Sequence, residues 1–467
     1  MTAETKHKYM LETPMYKLIT SMAIPTICSM IVTSLYSLAD TYYVSKLGTY
    51  ATGAIGINSS IDNIIMMLGS FIAAGATSYI SRLLGAKKNE HANRVISTAY
   101  FTAVGCGILI MIFGLLFTEE LVVALGATEN LVKYSVDYAT YIFLAAPLMS
   151  SNFILSHSLR SEGNALLSMI GMMSSAVVNI ILDPIFIFDL GLGVAGASMA
   201  TAISKVFSFV ILLMPYIRRR RTILRISIRK ISYTKDVVPE ILRMGSPSLL
   251  RAGLNTVSAV ILNKIAAGYS ESALAAISLC HRIMMFPFGI CMGFSQGYSP
   301  VSGYSVGARR FDRAREALRA AMVISVGSTI VLGALIFIFS EQVIGLFTET
   351  DASLLRLGEF SLRLQCVALP LHAGVAVVNF FCSSRGKPIG AAILGTARQG
   401  ICFFPILPIM VAVWGEWGVA SVQAVADALT LIPAIPILLI GLREMSRLEA
   451  EDKAAAAANT AEATLPQ

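Results

Sequence analysis

Asn179-Ile-Ile-Leu-Asp183-Pro184 places a carboxylate and a helix breaker inside a long apolar run, with Met169 to Ser175 before it and Ile185 to Phe188 after it. In the middle of a bilayer an ionised side chain is unfavourable by about 2.5–3.5 kcal/mol, and residues of this kind face polar cavities where they bind or relay ions. Asp183 therefore implies a cation site, provided that the chain crosses a membrane and supplies partners.

Composition meets the first condition. The 467 residues are 55% hydrophobic and 14% charged, with a mean hydropathy of +0.71, whereas soluble domains carry about 25% charged residues. Stretches long enough to cross a hydrocarbon core of about 30 Å occupy roughly 18–44, 52–81, 95–118, 135–159, 168–188, 194–217, 244–267, 274–302, 320–339, 358–382, 389–413 and 418–442. They predict an all-α integral membrane protein with twelve transmembrane helices. Basic residues gather in alternate loops: Lys6, Lys8, Lys17, Arg82, Lys87, Lys88, Arg218 to Arg221, Arg309, Arg310, Arg385, Lys387 and Arg443 on one side, mainly Lys46, Lys133 and Arg356 on the other. The positive-inside rule makes the first side cytoplasmic, with both termini on it, in an inner or plasma membrane. The net charge of +8 is then topological and needs no nucleic-acid partner. Met1 to Lys17 is polar and lacks the features of a cleavable signal. The seven cysteines all fall in the spans without CxxC spacing, so they read as buried free thiols.

The two halves repeat. At a separation of about 222 residues, Pro25 meets Pro247, Ala54-Ile55 meets Ala276-Ile277, Gly75 meets Gly297, and Gly85-Ala86 meets Gly307-Ala308. With a residue or so of slippage Pro147 meets Pro370, Gly163 meets Gly386, and Gly193-Val-Ala195 meets Gly418-Val-Ala420. A duplication of six helices, an even number, starts both halves on the same side, so two lobes are related by a pseudo-two-fold axis along the membrane normal, with a cavity between them. The expected organisation is a cytoplasmic segment 1–17, a first lobe 18–217, a basic linker 218–240, a second lobe 241–443 and a cytoplasmic tail 444–467, disordered or a frayed helix.

Depth supplies the partners of Asp183. Asp40 lies about four residues from the outer end of the first span, Asp183 about five from that of the fifth, and Thr201 about seven into the sixth, which puts them in one layer at 1.5 Å per residue. Asn179 and Asp183, at i and i+4, share a helical face. Pro184 has no N–H to give the Ile180 carbonyl, which leaves that oxygen available. Two carboxylates, an amide oxygen and a hydroxyl suit an alkali cation. Burial and a like-charged neighbour both favour the protonated form of a carboxyl group, so the same set would serve a proton. In the second half Leu262 stands at the equivalent of Asp40, and Ile406 to Pro408 near that of Asp183; the coupling site is expected in the first lobe alone. Tyr36, Asp62, Tyr138 and Met173 are expected to line the substrate cavity, the methionines offering a pliable surface. No phosphate-binding loop, GxSxG or HExxH is present, so enzymatic chemistry has little support.

Leu38-Ala-Asp40, Ile80-Ser-Arg-Leu-Leu-Gly-Ala-Lys87 and Asn179-Ile-Ile-Leu-Asp183-Pro-Ile185, on duplicated six-helix halves, resemble the multidrug and toxic compound extrusion (MATE) transporters, in particular their bacterial DinF/MepA-like branch. The resemblance covers roughly Thr13 to Arg443. It implies a V-shaped pair of lobes and alternating access, with drug export driven by protons or sodium and without a cofactor. The family's first-lobe cation site falls on Asp40, Asn179, Asp183 and Thr201, and a family tyrosine on Tyr138. The family's amide in the fourth span has no clean counterpart, since Ser156 and Ser158 stand in that region. Second-lobe acids of the NorM branch are absent from Ala252 to Leu262 and Leu369 to Cys382.

The expected function is a secondary active antiporter, working as a monomer among membrane lipids, that exports amphipathic, cationic compounds in exchange for H+ or Na+. Two alternatives compete with it. A lipid-linked oligosaccharide flippase of the same superfamily would line its cavity with arginines, and here Arg251 is the one to check. A membrane-embedded enzyme would need a catalytic group that the sequence does not offer.

Overall fold

A computed structural model of the chain describes residues 3–218, 222–234, 236–347 and 351–463. Arg219 to Arg221 of the basic linker and the last four residues of the tail lie outside the described residues. The described chain is helical: α1 (Ala3–Glu12), α2 (Met15–Ser45), α3 (Thr49–Gly85), α4 (Asn89–Leu116), α5 (Thr118–Ala124), α6 (Glu129–Ser161), α7 (Ala165–Pro184), α8 (Gly193–Arg218), α9 (Val238–Tyr269), α10 (Glu271–Gly307), α11 (Phe311–Ile338), α12 (Ser340–Gly345), α13 (Ala352–Ser384), α14 (Pro388–Thr396), α15 (Phe403–Leu429) and α16 (Leu431–Ala463). Ten stretches among the described residues are long and apolar enough to cross a membrane, the last of them Pro388–Ala455 at 68 residues, which is enough for two crossings. The break between those two is Gly415, at φ 55 and ψ −128 inside α15, a conformation open to glycine. With α9, whose hydropathy Arg251, Asn255, Asn263 and Lys264 dilute, the crossings among the described residues number twelve.

The duplication extends to the caps. α5 and α12 are short surface helices at equivalent places in the two halves. Lys87 and Arg309, equivalent residues, both adopt left-handed backbone (φ 58 and 56), and the residue after each donates its N–H back five positions, Lys88 to Leu83 and Arg310 to Ser305, both at 2.9 Å. This is the Schellman closure of a helix C-terminus. Gly163 and Gly386 repeat the device at φ 81 and 75. α6 and α13, also equivalent, are the most buried spans, whereas α4 and α11 are among the least; the first pair forms the centre of each lobe and the second its lipid-facing margin.

The lobes meet at their basic ends through backbone. A Cβ on Gly85 would lie 2.1 Å from the Tyr304 carbonyl oxygen, and one on Gly307 1.9 Å from that of Arg82; these are equivalent contacts exchanged across the pseudo-axis. Gly75 abuts Ile241 O of α9 in the same manner, and its counterpart Gly297 abuts Ala23 of α2. Ser78 of the first lobe donates to Ser383 O of the second. Toward the other end the lobes part. A Cβ on Gly253 or Gly289 would meet nothing within 4 Å, and α2 shows no buried residue from Met30 to Ala39.

Both terminal segments are helical among the described residues. α1 is a helix packed on the basic end, with Lys6 buried in an ion pair to Glu162 at 2.7 Å and His7 Nδ1 2.8 Å from the Tyr304 hydroxyl. The tail, expected to be disordered or frayed, continues α16 to Ala463, because Glu449 and Asp452 find Arg315 and Arg309. All seven cysteines are free.

The glycine contacts give a first prediction. Gly307→Ala forces the basic ends apart at a cost of about 1–3 kcal/mol. In a cysteine-free background, a cysteine at the fully buried Ser302 should react with a membrane-impermeant maleimide at least several-fold faster when this substitution is present.

Candidate functional site

Asp40 sits in the last turns of α2 and Asp183 at the end of α7, 7% and 0% exposed. Asn179, one turn before Asp183, donates from Nδ2 to Asp183 Oδ1 and to Thr201 Oγ1 of α8, both at 3.1 Å. One amide thus ties α7 to α8 and restrains one carboxylate oxygen. After Pro184 the helix widens into a π turn over Ile185–Asp189, a distortion that recurs at functional sites. Asn179 Oδ1, Asp183 Oδ2 and Asp40 Oδ1 are left buried without a hydrogen-bond partner in the protein. Tyr138 of α6, 4% exposed, directs its hydroxyl to Asp40.

Asp62 of α3 belongs to the same region. It is half-buried, its Oδ1 is unpartnered, and its charge is felt by Asp40 and by Lys205. Tyr36 lies one turn before Asp40, with its hydroxyl 3.5 Å from Lys205 Nζ and its ring centroid 5.1 Å from it. Met173 is half-buried on α7, nearly two turns before Asn179. The structure therefore brings Asp40, Asn179, Asp183, Thr201 and Tyr138 together, with Asp62 and Tyr36 beside them and Met173 farther along. Among the described residues no three His, Cys, Asp or Glu side chains form a metal-holding group. The donors that converge are carboxylate, amide and hydroxyl oxygens, which suit a hard monovalent cation or a proton rather than a tightly chelated metal.

Two site residues were not singled out from the sequence. Lys205 lies one turn beyond Thr201; its signal was a lone lysine inside the span 194–217. Asn152 of α6 is a buried amide in the fourth span, and it donates to Lys205 O at 3.1 Å while its own Oδ1 stays unpartnered.

The second lobe is not free of charge either. Asp427, 2% exposed, accepts from Arg398 Nε at 2.6 Å, and the Arg398 guanidinium lies 4.2 Å from the Phe288 ring centroid. Arg398 projects from a second π turn, Ala397–Ile401. Here the cation is covalently attached, and the pair is internally neutral. Leu262 packs into an apolar cluster with Phe403 and Leu407, so nothing at that position binds an ion.

A duplicated bundle of membrane-crossing helices, joined at one end and parted at the other, with unpartnered carboxylate oxygens buried in the first lobe, has the build of a secondary carrier. The MatE family model matches residues 25–185 and 247–409, more than half of the sequence, and the chain belongs to the MatE family of transporters; it is not an enzyme. The two matched segments begin at the equivalent prolines Pro25 and Pro247. The chain is 29% identical over 434 residues to the multidrug export protein MepA of Staphylococcus aureus, covering 92% of this chain and 95% of that one, and 28% identical over 433 residues to MepA of Staphylococcus saprophyticus, with the same coverage. Among solved structures it is similar to an outward-facing multidrug resistance MATE transporter of the MOP superfamily, with a TM-score of 0.87, 27% identity, and 95% and 98% of the two chains covered.

The Asn179 bridge is testable by stability. Asn179→Ala removes the donor to both Asp183 and Thr201, and buried acceptors left unmet cost about 1–3 kcal/mol each; the melting temperature in detergent should fall, whereas Asp62→Asn at the half-buried position should leave it nearly unchanged.

Proposed function

We propose that this chain is a secondary active exporter of amphipathic, cationic compounds, driven by a proton or sodium ion that enters the first lobe at Asp40, Asn179, Asp183 and Thr201. The observation that carries this reading is the set of unpartnered buried oxygens on Asp40, Asn179 and Asp183. Oxygens that hydrocarbon cannot solvate favour any cation able to reach them. The multidrug-export relatives support the substrate class.

The side assignment follows from charge. If the basic loops are cytoplasmic, both termini are cytoplasmic, the glycine-closed end faces the cell interior, and the arrangement is outward-open in an inner or plasma membrane. In the proposed organisation, residues 18–217 and 241–443 are the moving lobes, 218–240 is a linker whose basic residues meet anionic lipid headgroups, and the chain works as a monomer. Tyr36, Asp62, Tyr138 and Met173 form the substrate side of the first lobe, where a cationic drug competes with the coupling ion for the same negative field.

Coupling then needs a difference in affinity between two states. In the open state the ion reaches Asp40 and Asp183, neutralises their mutual repulsion, and lets α2 and α7 pack more closely near Pro25 and Pro184. That packing withdraws the carboxylates from the substrate, which leaves toward the open side. The ion is released when the lobes have closed outside and opened inside.

Proteoliposomes given a proton gradient and a sodium gradient separately should accumulate a fluorescent cationic dye with one of the two. Asp40→Asn combined with Asp183→Asn should reduce gradient-driven accumulation at least tenfold. Equal coupled transport by that double variant would refute the ion assignment, and flux in wild type without either gradient would refute antiport.

A further inference from the structure

A second buried charged feature lies at the closed, basic end and plays no part in the proposed cation site. A cavity of about 70 Å³ lies between the lobes, lined on the first-lobe side by His157 and Arg160 of α6 and on the second-lobe side by Arg251 of α9 and Gln296 of α10. Arg160 is 8% exposed, and its hydrogen bond to Ser168 Oγ is long, at 3.4 Å. Neither guanidinium forms an ion pair with any carboxylate among the described residues. The carboxylate nearest to Arg160 in sequence, Glu162, is taken: it accepts from Lys6 Nζ at 2.7 Å and from the N–H groups of Ile223 and Leu224 at 2.8 and 3.0 Å. Glu240, at the start of α9, is held by Arg82 at 2.6 Å.

Two guanidiniums lining one partly closed space between the lobes, Arg160 buried and Arg251 half-buried, without a counter-charge, are unfavourable unless an anion joins them. The other lining groups narrow its chemistry. Thr77, Ser78 and Ser248 already donate their hydroxyl protons to the carbonyls of Ala73, Ser383 and Gly245, and Asn379 donates to Ala391 O at 2.7 Å. The donors left for a ligand are therefore the two planar forks, with Gln296, Ser299 and His157 beside them. Guanidinium forks match the paired oxygens of phosphate and hold them bidentately. One water needs about 10–15 Å³ on the same measure, so the space admits one phosphate-sized group and no drug-sized molecule. The charge is not a relic of the duplication: the residue equivalent to Arg251 is Ser29, and the one equivalent to Arg160 is Ser383.

We propose that Arg160 and Arg251 form an oxyanion site of phosphate size that touches both lobes and fastens the closed end. A bound phosphate joins α6 of one lobe to α9 of the other, so it favours the state described here over one in which these helices separate. The group is either a soluble phosphate or the phosphomonoester headgroup of a lipid. The inference does not depend on the ion or drug assignments, and it is read out by binding alone.

The full-length protein in detergent is titrated with sodium phosphate against sodium chloride at matched ionic strength and, in a second arm, with short-chain phosphatidic acid against phosphatidylcholine, following the melting temperature. Saturable stabilisation in at least one arm is expected, and the arm that responds identifies the source. Arg160→Gln and Arg251→Gln should each weaken the responding ligand tenfold or more. Arg251→Lys, which keeps the charge and loses the fork, should fall between the wild type and Arg251→Gln; it carries the test if a glutamine variant does not fold. No saturable response in either arm, or unchanged affinity in all the variants, would overturn the site.

Discussion

A charge in hydrocarbon must be compensated, and the two lobes of this transporter meet that requirement in opposite ways. In the second lobe Asp427 is matched by Arg398 at 2.6 Å, a tethered cation that never leaves. In the first lobe Asp40, Asp62 and Asp183 have Lys205 as a neighbouring cation, and its ammonium lies against the Tyr36 hydroxyl and ring. The remaining carboxylate oxygens are restrained by Asn179 and Tyr138 but not neutralised. In the proposed function, a duplicated scaffold carries one lobe whose buried acid has a tethered cation and one whose buried acids receive a mobile ion. Under that proposal, the asymmetry is what would make the first lobe responsive to a gradient.

The glycine contacts supply the other requirement, two discrete packings. Gly75, Gly85, Gly297 and Gly307 let backbones touch at the basic end, where a side chain would hold the lobes apart. Contacts of this kind are made or broken as a unit, because close-packed interiors deform little. The closed end is also where Lys6 and His7 of α1, Glu162, Arg82 and Glu240 converge, so a small change in lobe angle affects many polar partners together.

Much of this was legible in the sequence because the signals were physical and repeated. The Pro25/Pro247 and Gly85/Gly307 pairs gave the duplication, and the Asn179–Asp183 spacing on one helical face gave the α7 part of the site. Lys205 and Asn152 were harder to see, because a single polar residue inside an apolar span does not reveal which neighbour it meets. The Arg398–Asp427 pair was invisible for a related reason: its members are 29 residues apart on separate crossings, and each alone looks like a stray charge. Arg251 could be flagged, but its companion Arg160 looked like an ordinary basic residue at a helix end until α6 and α9 were brought together. For the tail the sequence left disorder and a frayed helix both open, because alanine-rich sequence without large apolar groups gives no packing signal, whereas its ion pairs to Arg309 and Arg315 exist only in the folded arrangement.

The central claim is that a mobile cation in the first lobe changes how the two lobes are disposed. Leu47 and Tyr269 are equivalent, partly exposed residues near the ends of α2 and α9 on the open side, so spin labels placed there in a cysteine-free background report the opening directly. Lowering the pH or adding sodium should shift the population between two distances, and the shift should vanish when Asp40 and Asp183 are both replaced by asparagine. A distance distribution that ignores both ions, or one that shifts equally without the two carboxylates, would contradict the account.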